Sequence, residues 1–144
     1  MPNIHPFLTH FPIALLSLSL VCECAAVILN REEFSTVGWW TQLAGTIGLA
    51  AAVVTGTMAA QSVGISPAGK PYFDMHREIA FLASTVFAIL LFWRIAARTK
   101  RPPGHDILFL VIFGGGVLAL WAGAWYGGEM VYRFGAGVQA PPFP

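Results

Sequence analysis

Four histidines, one glutamate inside an apolar run and two cysteines are the side chains of this sequence most suited to chemistry. Neutral imidazole is the commonest protein ligand for transition metals and for haem iron. His10 opens one long apolar segment and His76 opens another two segments later, so the pair would stand level on two parallel helices. Level histidines in a four-helix bundle can clamp one haem between them. The competing use of such residues is interfacial, with each ring bonded to a loop carbonyl. No C-x-x-C-H occurs, which excludes covalently attached c-type haem.

The neighbourhood of that pair can be read the same way. Lys70, Arg77 and Arg133 fall on the same side, and arginine suits the carboxylates of haem propionates. Gly56 and Gly123 would leave room for a flat cofactor, while Met58 and Met75 are the sulfur alternatives to a second imidazole. A non-haem metal on His5, His10, His76 and Glu129 is the rival site. His5 and His10 lie five apart, about 140° around a helix, and Pro6 argues that His5 precedes the helix altogether. The face running on from His10 is Ala14, Ser17, Val21 and Cys24, a mostly small stripe.

Glu23 sits thirteen residues after His10, about 220° around, so the two address different places. A carboxylate at that depth needs a partner, with Gln42, Thr46 and Arg94 available, and serves as a structural bond or a proton relay. Cys22 and Cys24 point about 200° apart and read as reduced packing residues. His105 reads as a surface side chain, and Asp106 suits a helix start.

The elements that must position these groups follow from composition. Of 144 residues, 56% are hydrophobic and 10% are charged, where a soluble domain carries about 25% charged. That excludes a soluble enzyme, and a net charge of +1 excludes disorder and argues against nucleic acid as a partner. Four apolar segments, about 10–29, 39–61, 76–97 and 106–127, each match the roughly 20 residues a bilayer core requires. They do not alternate as barrel strands would. The fold expected is an all-α transmembrane four-helix bundle, a single integral membrane domain over 1–144.

Arg31, Arg94, Arg98, Lys100 and Arg101 oppose Lys70, Arg77 and Arg133, which directs both termini to the outer, periplasmic side. Trp39, Trp40 and Trp93 then belong to the inner belt, and Trp125, Tyr126 and Tyr132 to the outer one. No cleaved signal peptide is expected, because Pro12 and Glu23 interrupt any h-region. Thr9 and Asp74 are the expected caps of the first and third helices, with Pro12 in the first turn. The stretches Gly64–Pro71 and Arg101–Gly104 are the expected turns, and the tail ending Pro141-Pro142-Phe143-Pro144 is extended. Small residues at Gly115, Ala119, Gly123 and Gly127, and at Ala44, Gly48, Ala52 and Gly56, form ladders suited to close helix packing. Signatures of soluble hydrolases, P-loops and dinucleotide folds are absent.

The opening His5-Pro6-Phe7-Leu8-Thr9-His10-Phe11-Pro12-Ile13-Ala14-Leu15 resembles the start of the family catalogued as domain of unknown function 2231. Thr55-Gly56, the single His76 opening the third helix, and the block Gly127–Val138 are similar to that family too. The resemblance implies a small prokaryotic four-helix protein of the inner (cytoplasmic) membrane. Some relatives are joined to Rieske-type domains, which implies redox company and b-type haem. Many carry His where Phe134 stands, so a second site built from that residue and His5 would be lost here.

Together these readings point to a membrane cytochrome b or a haem-bearing subunit of a redox complex, without independent catalysis. His10 and His76 would be its axial ligands, and quinol or a periplasmic redox carrier its partner. A cofactor-free structural or assembly subunit, in a homo-oligomer or a larger membrane complex, is the alternative. A small transporter is disfavoured by the scarcity of buried charge.

Overall fold

A computed structural model describes residues 4–97 and 106–138. It contains four helices: α1 (His5–Leu29), α2 (Glu32–Ala60), α3 (Lys70–Ala96) and α4 (Asp106–Phe134), with no strand among the described residues. Arg98, Lys100, Arg101 and His105, the turn at 101–104 and the proline-rich end fall outside the described residues. At 25 to 29 residues, each helix is about 37–44 Å long and exceeds the hydrocarbon core of roughly 30 Å.

The surplus explains where helix bounds differ from expectation. Hydropathy marks only the lipid-immersed part, whereas the flanking turns are polar or proline-bearing and still helical. α1 starts at His5 rather than near residue 10, because Pro6 occupies the first turn, where a missing N–H costs nothing. Pro71 does the same for α3. Thr9 is therefore no cap: its hydroxyl donates to Pro6 O at 2.8 Å inside α1. Asp74 lies inside α3 as well, paired with Lys70 at 2.6 Å and Arg77 at 3.7 Å. Pro12 sits in the helix interior, not the first turn, and is buried.

Only Asn30 and Arg31 separate α1 from α2. Asn30 takes the left-handed conformation (φ 51°) that asparagine tolerates, and the Arg31 N–H returns to Ala26 O at 3.2 Å. Glu32 and Glu33 then open α2, where acids complement the helix dipole.

The helices form a ring in which α1 packs on α2 and α4, and α3 on α2 and α4, leaving α1 and α3 opposite each other. The starts of α1 and α3 and the ends of α2 and α4 share one end of the bundle, the terminal end. Leu16, Leu49, Phe87, Leu90, Phe109, Phe113, Val117 and Leu120 fill the middle, with Phe87 edge-on to Phe113 at 5.2 Å. The outer surface is the reverse of a soluble protein's: Ile28, Phe92 and Ile107 are 78%, 73% and 77% exposed. All four helices are long and apolar enough to cross a membrane. The chain is a membrane protein, and its exposed faces suit lipid.

The small-residue ladders do not form the seams by themselves. Gly115 has open space beside it, whereas Gly45 lies against Leu16 and Gly116 against Phe87. A Cβ at Gly45 would stand 2.8 Å from Leu16 Cγ, so this glycine sets the α1–α2 approach.

Candidate functional site

The buried residues of α1 are Pro12, Leu16, Ser19, Cys22, Glu23 and Ala26, and stepping back seven from Pro12 gives His5. His5, not His10, therefore carries the inward stripe. The His5 ring meets the His76 ring across the bundle at the terminal end, centroids 6.2 Å apart and nearly perpendicular. These are side chains of the two helices that face each other across the ring of four.

Each imidazole is seated on a neighbouring helix. His76 donates Nδ1–H to Gly123 O at 2.7 Å, which leaves Nε2 with its lone pair in the neutral ring. Its ring lies over Gly127, where a Cβ would be 3.2 Å from Cε1. His5 places Nδ1 3.4 Å from Thr55 Oγ1 and bonds the Ala52 backbone. Its ring lies over Gly56, where a Cβ would come within 2.9 Å of Cε1. Gly56 and Gly127 thus make room for imidazoles, and Gly123 for Ile79. The expectation that Gly56 and Gly123 hold space for a flat cofactor is corrected accordingly.

The expected His10–His76 pair is also corrected. His10 is exposed on another flank of α1, with Nδ1–H donated to Pro6 O at 2.7 Å. The stripe read from it, through Ala14 and Val21, faces outward; Val21 is 64% exposed. Met58 and Met75 point outward as well, 65% and 42% exposed. Arg77 is paired with Asp74, and Arg133 with Glu129 on its own helix. Among the described residues no group of three or more His, Cys, Asp or Glu could hold a metal, so the mixed set of His5, His10, His76 and Glu129 does not assemble. Phe134 packs on Tyr72 at 5.1 Å and over Gly69.

A second polar cluster closes the opposite end. Glu23 and Arg94, both fully buried, form an ion pair at 2.6 Å. Arg94 also donates to Gln42 Oε1 at 3.0 Å and to Ser35 O at 2.8 Å, and stacks over Trp39 and Phe109. Of the partners considered for Glu23, Arg94 makes the pair and Gln42 joins through it; Thr46 instead donates to Gln42 O. Gly38 is the residue that composition alone did not single out. A Cβ there would fall 2.2 Å from Glu23 Oε1, and Gly38 O accepts the Ser19 hydroxyl at 2.7 Å. Cys22 and Cys24 are free.

The two clusters are related by number. His5 and Glu23 are eighteen residues apart on α1, and His76 and Arg94 are eighteen apart on α3. Eighteen residues are five full turns, so each pair shares a helix face and spans about 27 Å.

As a chemical arrangement, the terminal end offers two imidazoles on opposed helices, one of them tied through Nδ1 to a backbone carbonyl. That tie fixes the tautomer and aims the other nitrogen, as second-shell bonds do for metal-ligating histidines. A family model described as "Predicted membrane protein (DUF2231)" matches residues 1–140. No curated protein and no solved structure matches the chain.

Proposed function

From the premise that the chain belongs to the DUF2231 family of predicted membrane proteins, we propose that it is a membrane electron carrier, or the metal-bearing subunit of a redox complex, with haem b held by His5 and His76. One observation carries this reading: two imidazoles from opposed helices converge at one end of the bundle, 6.2 Å between centroids. His5 and His76 would be the residues to hold a haem, a group that asks the protein for as few as two nitrogen donors. The bond from His76 to Gly123 O supports the reading, because it holds Nδ1 as the donor and keeps Nε2 for a metal. When bound, such a group supplies one-electron exchange.

The chain's own residues do the rest. Thr55 and Gly56 seat the His5 ring, Gly123 and Gly127 seat the His76 ring, and the aromatic core below excludes water. Arg77 and Arg133 are exposed at the same end, each paired with an acid of its own helix, and a carboxylate of a bound group would have to compete with Asp74 and Glu129 for them. In this reading both termini lie outside the cytoplasmic membrane, which the bias of Lys and Arg in the sequence toward the loops after the first and third apolar segments supports.

A second reading has its own observation in favour. The spaces above Gly56 and Gly127 are already filled by the rings, so the pair can serve as a polar clasp in a cofactor-free subunit. Absorption spectra of the purified protein, oxidised and reduced, separate the two. Haem gives a Soret band and a sharp reduced α-band, lost in His5→Ala and in His76→Ala and kept in His10→Ala. A folded, colourless protein without iron by elemental analysis sinks the redox reading and leaves the clasp.

A further inference from the structure

The hairpins α1–α2 and α3–α4 repeat one another in number. His5, Gly45, Leu49 and Gly56 stand 71 residues before His76, Gly116, Leu120 and Gly127. Of the eleven buried residues of α1 and α2, all but Cys22 and Ala26 have a buried residue 71 positions later. Matched helix phase explains matched burial, but not matched contacts between helices. His5 lies over Gly56 and bonds the Ala52 backbone, while His76 lies over Gly127 and bonds Gly123 O. A Cβ on Gly45 would meet Leu16 at 2.8 Å, and one on Gly116 would meet Phe87 at 3.0 Å. Each residue of the second set follows its counterpart by the same 71 positions. α1 packs more extensively on α2 than on α4, and α3 more on α4 than on α2. Two like hairpins therefore face each other about an axis along the bundle, the relation of parallel repeats in membrane proteins.

The departures from that likeness fall where the hairpins meet. Glu23 is matched by Arg94, and the two form the buried ion pair. Leu16, Gly38 and Gln42 are matched by Phe87, Phe109 and Phe113, all three buried. Arg94 reaches across the seam to Gln42 Oε1 and Ser35 O, and lies over Phe109. Two copies of the first hairpin would set carboxylate against carboxylate and leave the phenylalanine volume empty. Two copies of the second would bury two guanidiniums and bring twice the phenyl rings that the seam accommodates. Uncompensated buried charge and overpacking are both costly. We infer that the seam face of each hairpin is a docking surface whose partner is a hairpin of the other kind, with Glu23 and Arg94 selecting it. A second copy of this chain offers the same two faces, so copies exchange hairpins when closure within one chain is blocked. Residues 61–69 join the hairpins and reach about 30 Å when extended, enough to link neighbouring bundles about 20 Å across. The inference concerns assembly and holds whether or not His5 and His76 bind a group.

The test co-expresses two full-length chains with different affinity tags, extracts them in mild detergent, purifies on one tag and quantifies the other. Wild type beside wild type sets the background, since each chain closes on itself. Glu23→Arg puts two arginines in one seam and Arg94→Glu puts two glutamates there, so neither chain closes alone or with its own kind. Co-expressed, they exchange hairpins, because each seam of the exchanged dimer then holds one acid and one arginine. Co-purification of Glu23→Arg with Arg94→Glu rises at least about tenfold over background, within the hundredfold or more by which an uncompensated buried charge shifts pairing. Either variant beside itself stays at background, as does the double variant beside wild type. Leu16→Phe and Phe87→Leu repeat the comparison by volume alone, and Gly45 leaves room for a ring as Gly116 does for Phe87. Their mixed pair exceeds either variant beside itself by at least about threefold. Intact charge variants that co-purify no better than wild type overturn the inference, whatever the volume pair does. Where the charge variants are degraded, the volume pair decides: a mixed pair no better than its same-variant controls overturns the inference as well.

Discussion

Removing the Glu23 carboxylate leaves the Arg94 guanidinium fully buried beside Gln42 Oε1, Ser35 O and the Ser35 hydroxyl, neutral acceptors that do not compensate its charge. Breaking one side of a buried pair costs about 3–5 kcal/mol, because the surviving charge is uncompensated. Glu23→Ala should therefore lower stability by about that amount. Glu23→Met with Arg94→Met should return most of it, since matched apolar replacements of a buried pair are often neutral or stabilising. Gly38 sharpens the test. Gly38→Ala places a methyl 2.2 Å from Glu23 Oε1, overpacking that costs about 1–3 kcal/mol. In the Glu23→Ala background the obstructing oxygen is gone, and the same change should be neutral or stabilise by up to about 1 kcal/mol, alanine being the better helix former. Unfolding in mixed micelles titrated with SDS, followed by far-UV circular dichroism, gives the four free energies of the cycle. Additive costs for Gly38→Ala and Glu23→Ala would refute the geometry. A Glu23→Met/Arg94→Met double variant as unstable as Glu23→Ala would refute the energetic argument.

The rest of the bundle dictates other outcomes. Gly56→Ala should displace the His5 ring, costing about 1–3 kcal/mol in the same titration and shifting the imidazole signals of His5 in NMR spectra. Gly115→Ala, with open space around it, should cost nothing measurable by the same titration. Lys70→Ala removes a surface pair and should change stability by less than about 1 kcal/mol, an effect that vanishes in high salt. Trp121→Phe loses the indole donation to Ser17 across α1 and α4, and should cost about 1 kcal/mol beyond the change in apolar area.

The number of helices was legible in the sequence because lipid demands long uninterrupted apolar runs, and those runs are local. The interfacial turns were not, since hydropathy falls there while backbone bonding continues: His5–Thr9 and Lys70–Met75 are helical and read as flanks. The choice between His5 and His10 turned on phase. Both follow plausible stripes, and the deciding signal was the polar pair Ser19 and Glu23, which a lipid-facing side would not carry and which lies in phase with His5. Starting the count at His10 put Ala14 and Val21 inside, although they face out. Glu23's need for a partner was legible, but the sequence left Gln42, Thr46 and Arg94 open, and only the packing of α3 against α2 brings Arg94 to it. The seats at Gly38 and Gly127 were legible only as small residues, since what a glycine makes room for depends on a side chain from another helix.

The equal spacing of His5 from Glu23 and of His76 from Arg94 makes α1 and α3 behave as two matched gauge rods, pinned together at both tips. Adding one residue between the pins of α1 alone swings one tip about 100° out of line, so a tolerated change of length must occur in both rods and by whole turns. The distance between the pins, close to the thickness of a bilayer's oily layer, then cannot stretch or shrink by small steps. Such a bundle meets a thinner or thicker membrane by leaning as one body, which makes its tilt, rather than its internal shape, the quantity that responds to lipid composition.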